Sequence, residues 1–198
     1  GGYHGTTPWM QSPGHHGLIP DDWTHVIRIP WNDVNALRQV LEENAGDVAG
    51  FISSPYHHPV FADNELPAPG YWDEVSRLLR KHGVVFIIDD VRAGFRLHLG
   101  GSCELYGFKP DLICFSKAIG NGYPISAMVG VESLRKDVGR VFHTVSFWFG
   151  AGPMAAALAT LKELKRLDAP ALLRETGEKL LNGMVEVAKS HGYTLKVS

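Results

Sequence analysis

Two places in the sequence carry residue types and spacing that can do chemistry. The first is Ile87-Ile88-Asp89-Asp90-Val91, where two carboxylates end an apolar run. The second is Phe115-Ser116-Lys117-Ala118-Ile119-Gly120-Asn121-Gly122, a lysine just after another apolar run and ahead of a glycine-rich turn. Residues 84–88 are five apolar residues in succession, the pattern of a strand covered on both faces. In an open α/β sheet, ligands collect beyond the carboxyl ends of such strands, so the acids and bases there are read first. Residues two apart on a strand share a face, which puts Asp89 with Val91. Singly, each feature has a structural reading: paired aspartates cap a turn, and a strand-end lysine reaches for solvent. Together they supply what pyridoxal 5'-phosphate requires, namely a lysine amine for its aldehyde, a carboxylate to keep its pyridine nitrogen protonated, and an apolar wall for its ring. Lys117, Asp89 and Val91 offer those three.

The elements that must position these residues read as alternating strands and helices. Residues 5–22, rich in Gly, Pro, Thr and His, read as a long loop, and residues 24–29 as a short strand. Asn32 or Asp33 then caps a helix with Leu37, Val40 and Leu41 on one face, stopped by Gly46. Residues 48–53 are the next strand, 55–69 a Pro-rich loop, and Trp72, Val75, Leu78 and Leu79 mark a helix that ends at Gly83. Further strands are expected at 84–88, 111–115 and 126–131. Helical periods occupy 151–167 and 170–190, and a strand begins at 193–197. The pattern predicts an α/β fold, a mainly parallel sheet flanked by helices, with a severed C-terminal extension.

Composition narrows the partners. The 198 residues are 44% hydrophobic and 20% charged, an ordinary globular balance. No apolar run approaches the ~18 residues a membrane-spanning helix needs. Net charge is −2 with both signs scattered, so no basic stripe is available for nucleic acid or an acidic membrane surface, and a small-molecule partner is expected. Cys103 and Cys114 lack metal-ligand spacing and suit a reducing, cytoplasmic setting. The chain opens on Gly1 rather than Met and without the pattern of a signal peptide, which reads as an excised piece.

Over most of its length the sequence resembles the class III aminotransferases, especially the branch that includes glutamate-1-semialdehyde aminomutase. The resemblance rests on Gly2-Tyr3-His4-Gly5, on Phe86 through Arg96 (Phe-Ile-Ile-Asp-Asp-Val-Arg-Ala-Gly-Phe-Arg), on Lys109-Pro110-Asp111-Leu112, and on Ser116 through Gly122, with Lys117 lying 28 residues after Asp89. It implies the large domain of a fold-type I pyridoxal-phosphate enzyme, truncated at both ends, with residues 1–167 in that domain and 168–198 opening a small C-terminal one. It implies amino-group transfer between a small-molecule amino donor and an oxo or aldehyde acceptor, as an aminotransferase or aminomutase, in a homodimer. By position, Lys117 holds the cofactor, Asp89 pairs with its pyridine nitrogen, Val91 packs on one ring face and Tyr3 on the other. His4 matches the histidine that usually follows that aromatic. A hydroxyl before the alanine-rich helix, Ser146 or alternatively Thr144, reaches the cofactor phosphate of the neighbouring subunit.

The sequence also departs from the family pattern. Ser54-Pro55 stands where Glu-Pro is common, His57 where Gln is frequent, and Pro59 where enzymes handling ω-amino donors carry a second acid, so the substrate side is rewritten. Asp90 replaces the usual Glu, one methylene shorter. Three rival readings compete with this one. Gly150-Ala151-Gly152-Pro153-Met154-Ala155 has the form of a dinucleotide fingerprint, but the stretch after it stays helical through Leu167 and supplies no strand-end acid to hold a ribose. The pairs His15-His16 and His57-His58 have no Cys or acid to complete a metal site. The third rival is a catalytically incompetent pyridoxal-fold fragment serving as a dimerisation or scaffold domain, against which the joint presence of Asp89, Val91 and Lys117 argues.

Overall fold

The computed structural model describes residues 3–11, 14–59, 62–144 and 146–198; Gly2 of the Gly-Tyr-His-Gly motif and Val145 lie outside the described residues. The strands are β1 (Gly50–Ser53), β2 (Val85–Asp89), β3 (Leu112–Phe115) and β4 (Ala127–Gly130), with an α-helix between each successive pair except β3 and β4. The helices are α1 (Val34–Glu43), α2 (Tyr71–His82), α3 (Ser102–Tyr106), α4 (Arg135–Val138), α5 (Ala151–Arg166) and α6 (Ala169–Ser190). The chain divides into two compact units, Gly1–Asp89 and Asp90–Ser198.

In the first unit, β1 and β2 pair in parallel, Gly50 opposite Val85 through Ser53 opposite Ile88. A parallel pair needs a crossover, and α2 provides it. Asp73 and Glu74 lie in the first turn of α2 and Arg80, Lys81 and His82 in its last, the charge order the helix dipole favours. Gly83, at φ +68°, closes the helix in a left-handed cap, with the Val84 amide donating back to the Leu79 carbonyl. The buried face of α2 carries Trp72, Val75, Leu78 and Leu79. The Trp72 ring stacks on Phe86 of β2, and the alternation along β2 buries Phe86 and Ile88. The Asp33 carboxylate accepts from the Ala36 amide at 2.9 Å and starts α1, which buries Leu37 and Leu41 one turn apart.

In the second unit, β3 and β4 pair antiparallel, Leu112 opposite Gly130 through Phe115 opposite Ala127. The expected α/β class holds, with mixed pairing: only a short connection separates β3 from β4, and a connection without a crossover helix turns the chain back on itself. Phe95, Phe115, Ile119 and Ala157 form the core here, joined by Ala118, Ile125, Leu161 and Leu164.

Two expected strands do not form. Residues 20–23 make a 3-10 turn and 26–30 carry no regular structure, because β1 takes ladder bonds only from β2 among the described residues and offers 24–29 no pairing. Residues 193–197 likewise form no strand; the Tyr193 amide donates to Ala188, completing the end of α6. No helix is long and apolar enough to cross a membrane among the described residues.

Candidate active site

Asp89 is the last residue of β2, so its carboxylate stands at the carboxyl end of a parallel strand. His4 Nδ1 lies 2.7 Å from Asp89 Oδ2, with both side chains nearly buried at 11% and 13% exposure. A carboxylate only accepts, so the proton on this bond belongs to His4 Nδ1. The bond joins residues 85 positions apart and fixes one carboxylate oxygen, directing how the other can be presented.

Asp90 turns the other way and is 1% exposed. Its Oδ2 accepts from the Ser102 amide at 2.8 Å, its own amide donates to Cys114 O, and its carbonyl accepts from the Gly94 amide. The shorter carboxylate therefore ties the segment that follows β2 to the start of α3. Val91 opens the Val-Arg-Ala-Gly-Phe-Arg turn and is partly buried. Gly94 in that turn is required by space: a Cβ there would lie 2.6 Å from Phe115 Cδ1 and 2.8 Å from Asp90 O. Phe95, at φ +64°, lays its ring 4.8 Å from Phe115.

Lys117 follows β3 directly and opens the 3-10 turn Lys117–Ile119. Its φ of +48° is left-handed, which costs a residue with a side chain about 1–2 kcal/mol. The turn over-determines that conformation. The Ser116 hydroxyl donates to Ile125 O at 3.1 Å, Ile119 is buried in the core cluster, and a Cβ on Gly120 would lie 2.5 Å from Tyr123 O. The Lys117 side chain is exposed, and among the described residues its Nζ meets no hydrogen-bond or ion-pair partner. Strain held by its surroundings beneath an uncommitted amine is the form functional positions take.

The other expected site residues are less confined. Tyr3 is 57% exposed, and Thr144 and Ser146 are exposed on a loop whose Phe147, Trp148 and Phe149 also face solvent. The structure thus brings His4 to Asp89 within the first unit and presents Lys117 on a strained turn in the second. Ser54 is buried, and His57 pairs with Glu65 across an isolated bridge, its ring stacked on Trp31. Glu65 brings a carboxylate oxygen 3.9 Å from His57 Nδ1. Burial pushes the His57 imidazole below its ordinary range, against the opposing pull of Glu65. Asn32 is legible in the sequence only as a possible helix cap. In the structure it sits at φ +59°, donates to Glu65 and to Leu66 O, and accepts from the Ala68 amide, pinning the Pro-rich loop. A cavity of about 820 Å³ in the first unit is lined by residues that include His4, Arg28, Phe51, His57 and Tyr71.

The class III aminotransferase family model matches residues 1–197, and the chain belongs to that family. Its relatives include both aminotransferases and aminomutases. It is 36% identical over 196 residues to the aminopentol aminotransferase of Sphingopyxis macrogoltabida, covering 99% of this chain and 46% of that protein. It is 37% identical over 153 residues to the glutamate-1-semialdehyde 2,1-aminomutase of Anaeromyxobacter sp. (strain K), covering 76% of this chain and 35% of the relative. Among solved structures, the pyridoxal-phosphate internal aldimine form of the FumI protein of Sphingopyxis sp. MTA144 matches with a TM-score of 0.91 at 35% identity, covering 97% of this chain and 46% of that one. The fold is therefore that of the fold-type I pyridoxal-phosphate aminotransferases, and the chain spans between 35% and 46% of the length of these relatives.

Proposed function

We propose that this chain supplies cofactor-binding and catalytic residues of a pyridoxal-phosphate-dependent enzyme that moves an amino group between an amino donor and an oxo or aldehyde acceptor. The observation that carries the reading is the His4–Asp89 pair at the carboxyl end of β2, in a chain of this family. The residues fit the group: Asp89 is an oriented acceptor for a protonated ring nitrogen, Lys117 an accessible amine, and Val91 and Tyr3 an apolar residue and an aromatic for the two ring faces. When bound, pyridoxal phosphate supplies an electron sink for charge that develops at the donor's α-carbon.

In this reading Lys117 Nζ would hold the cofactor, and its amine would serve as the base for the proton on the donor's α-carbon. Asp89 keeps the ring nitrogen protonated, and His4 keeps Asp89 aimed. Residues 1–167 form part of the large domain and 168–198 open the small one. The exposed loop carrying Ser146 and Thr144 faces a second copy of the chain in a homodimer, where one of these hydroxyls reaches the phosphate. Cys103 and Cys114 are free thiols, in keeping with the cytoplasm. Ser54, His57 and Pro59 argue against an ω-amino acid donor, because the pattern those donors use is absent.

The test is borohydride reduction of the full-length protein with its cofactor, followed by peptide mapping. The pyridoxyl group is expected on Lys117, and Lys117→Ala is expected to hold the cofactor noncovalently and lose turnover. A Lys117→Ala protein that exchanges amino groups at the normal rate refutes the assignment.

A further inference from the structure

The β3–β4 register pairs Phe115 with Ala127, and the same register continued without a break would set Lys117 opposite Ile125. The chain leaves the ladder instead. Ser116 is still extended, at φ −161°, but Lys117 at φ +48° is left-handed, a conformation through which no strand continues. The peptide groups on both sides of the Lys117 Cα are then held. The Ser116 carbonyl accepts from the Ile119 amide at 3.3 Å, and the Lys117 carbonyl accepts from the Gly120 and Asn121 amides at 3.2 and 3.1 Å. These bonds are local to the turn. The Ser116 hydroxyl reaches farther, donating across nine positions to the Ile125 carbonyl at 3.1 Å in a partly buried bond. It therefore occupies an acceptor on the residue that faces Lys117 in the register.

We infer that Ser116 is a positioning residue for Lys117: by taking the Ile125 carbonyl, its hydroxyl keeps Lys117 out of the β3–β4 ladder and fixes the pose in which the amine serves the cofactor. The inference rests on the reading of Lys117 as the residue that holds the cofactor. A partly buried carbonyl that loses its donor takes another, because leaving it unpaired forfeits its hydration without return. Lys117 is the register partner within reach. Without the hydroxyl, the ladder extends by drawing the Lys117 backbone toward Ile125, and the side chain then follows the alternation of a strand rather than the direction of the turn. The rest of the loop resists a compensating shift. Ile119 is buried in the core cluster, and a Cβ on Gly120 would lie 2.5 Å from Tyr123 O and 2.6 Å from Ile125 Cγ2, so the two limbs of the loop already touch. The movement falls on Lys117, which is exposed. A displacement of about 1 Å in a reacting group costs up to about 100-fold in rate, so a small relaxation here is large in its effect.

The test compares full-length wild type with Ser116→Ala, Ser116→Cys and Ser116→Thr. For each, the rate at which cofactor-free protein captures added pyridoxal 5'-phosphate is followed by absorbance, borohydride reduction and peptide mapping locate the label, and kcat and KM are measured with one amino donor. A hydroxyl donates, a thiol donates weakly and a methyl group not at all. Capture rate and kcat are therefore expected to fall about tenfold in Ser116→Ala and less in Ser116→Cys, and to stay near wild type in Ser116→Thr, with KM within about twofold throughout. In cofactor-free Ser116→Ala, the Gly120 and Asn121 amides, which lean on the Lys117 carbonyl, should exchange faster while those of α6 do not. Equal capture rates and kcat in all four proteins overturn the inference, as does a Ser116→Ala protein with a lowered urea midpoint but unchanged capture. Should Ser116→Ala fail to fold, the Ser-to-Cys comparison decides, and equal capture by those two overturns it. A wild-type label on a residue other than Lys117 overturns the cofactor reading beneath it, whereas a label on Lys117 with equal rates overturns the role of Ser116 alone.

Discussion

Lys117 and Asp89 are legible in the sequence because each follows an apolar run, where a charged side chain needs a reason to stand. The His4–Asp89 bond is not: residues 85 positions apart have no local signal, and only the family pattern puts His4 in view. Nor does sequence show that Lys117 sits at φ +48°, since the surrounding turn imposes that conformation. The His4–Asp89 bond carries a prediction. A hydrogen bond to a charged group is worth about 1.5–3 kcal/mol, so losing the aim of Asp89 should lower kcat by roughly 10- to 100-fold. In the full-length protein His4→Ala is expected to show that loss together with a shifted absorption band of the bound cofactor. His4→Asn, whose side-chain amide can donate to the same oxygen, should recover part of both. Asp89→Asn should cost more rate than His4→Ala while retaining the cofactor. A His4→Ala enzyme with normal kcat and an unshifted spectrum would show that the bond only packs the fold.

At the level of elements, within the second unit the segment that opens on Asp90, the Gly94-Phe95 turn, β3 and the start of α3 are joined through Asp90 and the Phe115 ring. Gly94 lies against that ring so closely that a methyl group has no room. Gly94→Ala is therefore expected to destabilise the second unit by about 1–3 kcal/mol, the usual cost of overpacking, and urea midpoints followed by fluorescence will read it. An unchanged midpoint would mean that Phe115 yields freely. The alternation of strands and helices can be read from the sequence because α2 and β2 carry clear 3.6- and near-2-residue burial patterns, with Gly83 as punctuation. The pairing cannot. The antiparallel return of β4 depends on the geometry of the connecting turn, and residues 24–29 show that a strand-like pattern remains irregular without a ladder to join. The buried cap from Asp90 to Ser102 is equally hidden, since two adjacent aspartates look alike until the fold sends one inward.

For the chain as a whole, buried ionisable groups in both units tie stability to pH. In the first unit, burial and the nearby Asp33 carboxylate push the Tyr71 hydroxyl up to about 12 from 10.0. In the second, burial, reinforced by Glu104 and Asp90, pushes the Cys103 thiol above its ordinary 9.0. Both groups keep their protons in the folded chain at pH values where the unfolded chain releases them, so both contribute stability that is full below the unfolded value and falls as pH rises through the folded one. For Tyr71 the rise from 10.0 to about 12 corresponds to roughly 2–3 kcal/mol, lost by the time the folded hydroxyl has ionised. His57 acts at the other limb. Its lowered value means that the unfolded chain takes up a proton first as pH falls below 6.5, so its contribution is full above that point and declines below it. Urea midpoints measured across this range should therefore show a plateau between about pH 6.5 and 9, with a fall on each side. Tyr71→Phe should flatten the fall above pH 10, Cys103→Ala the part that begins near 9, and His57→Gln the acid limb. Because Tyr71 and Cys103 report on different units, the two variants also separate cooperative from independent unfolding. If each moves only its own step of a two-step curve, the units unfold separately; if both move one shared transition, they unfold together. An alkaline limb unaltered by Tyr71→Phe would mean that this buried hydroxyl does not govern it.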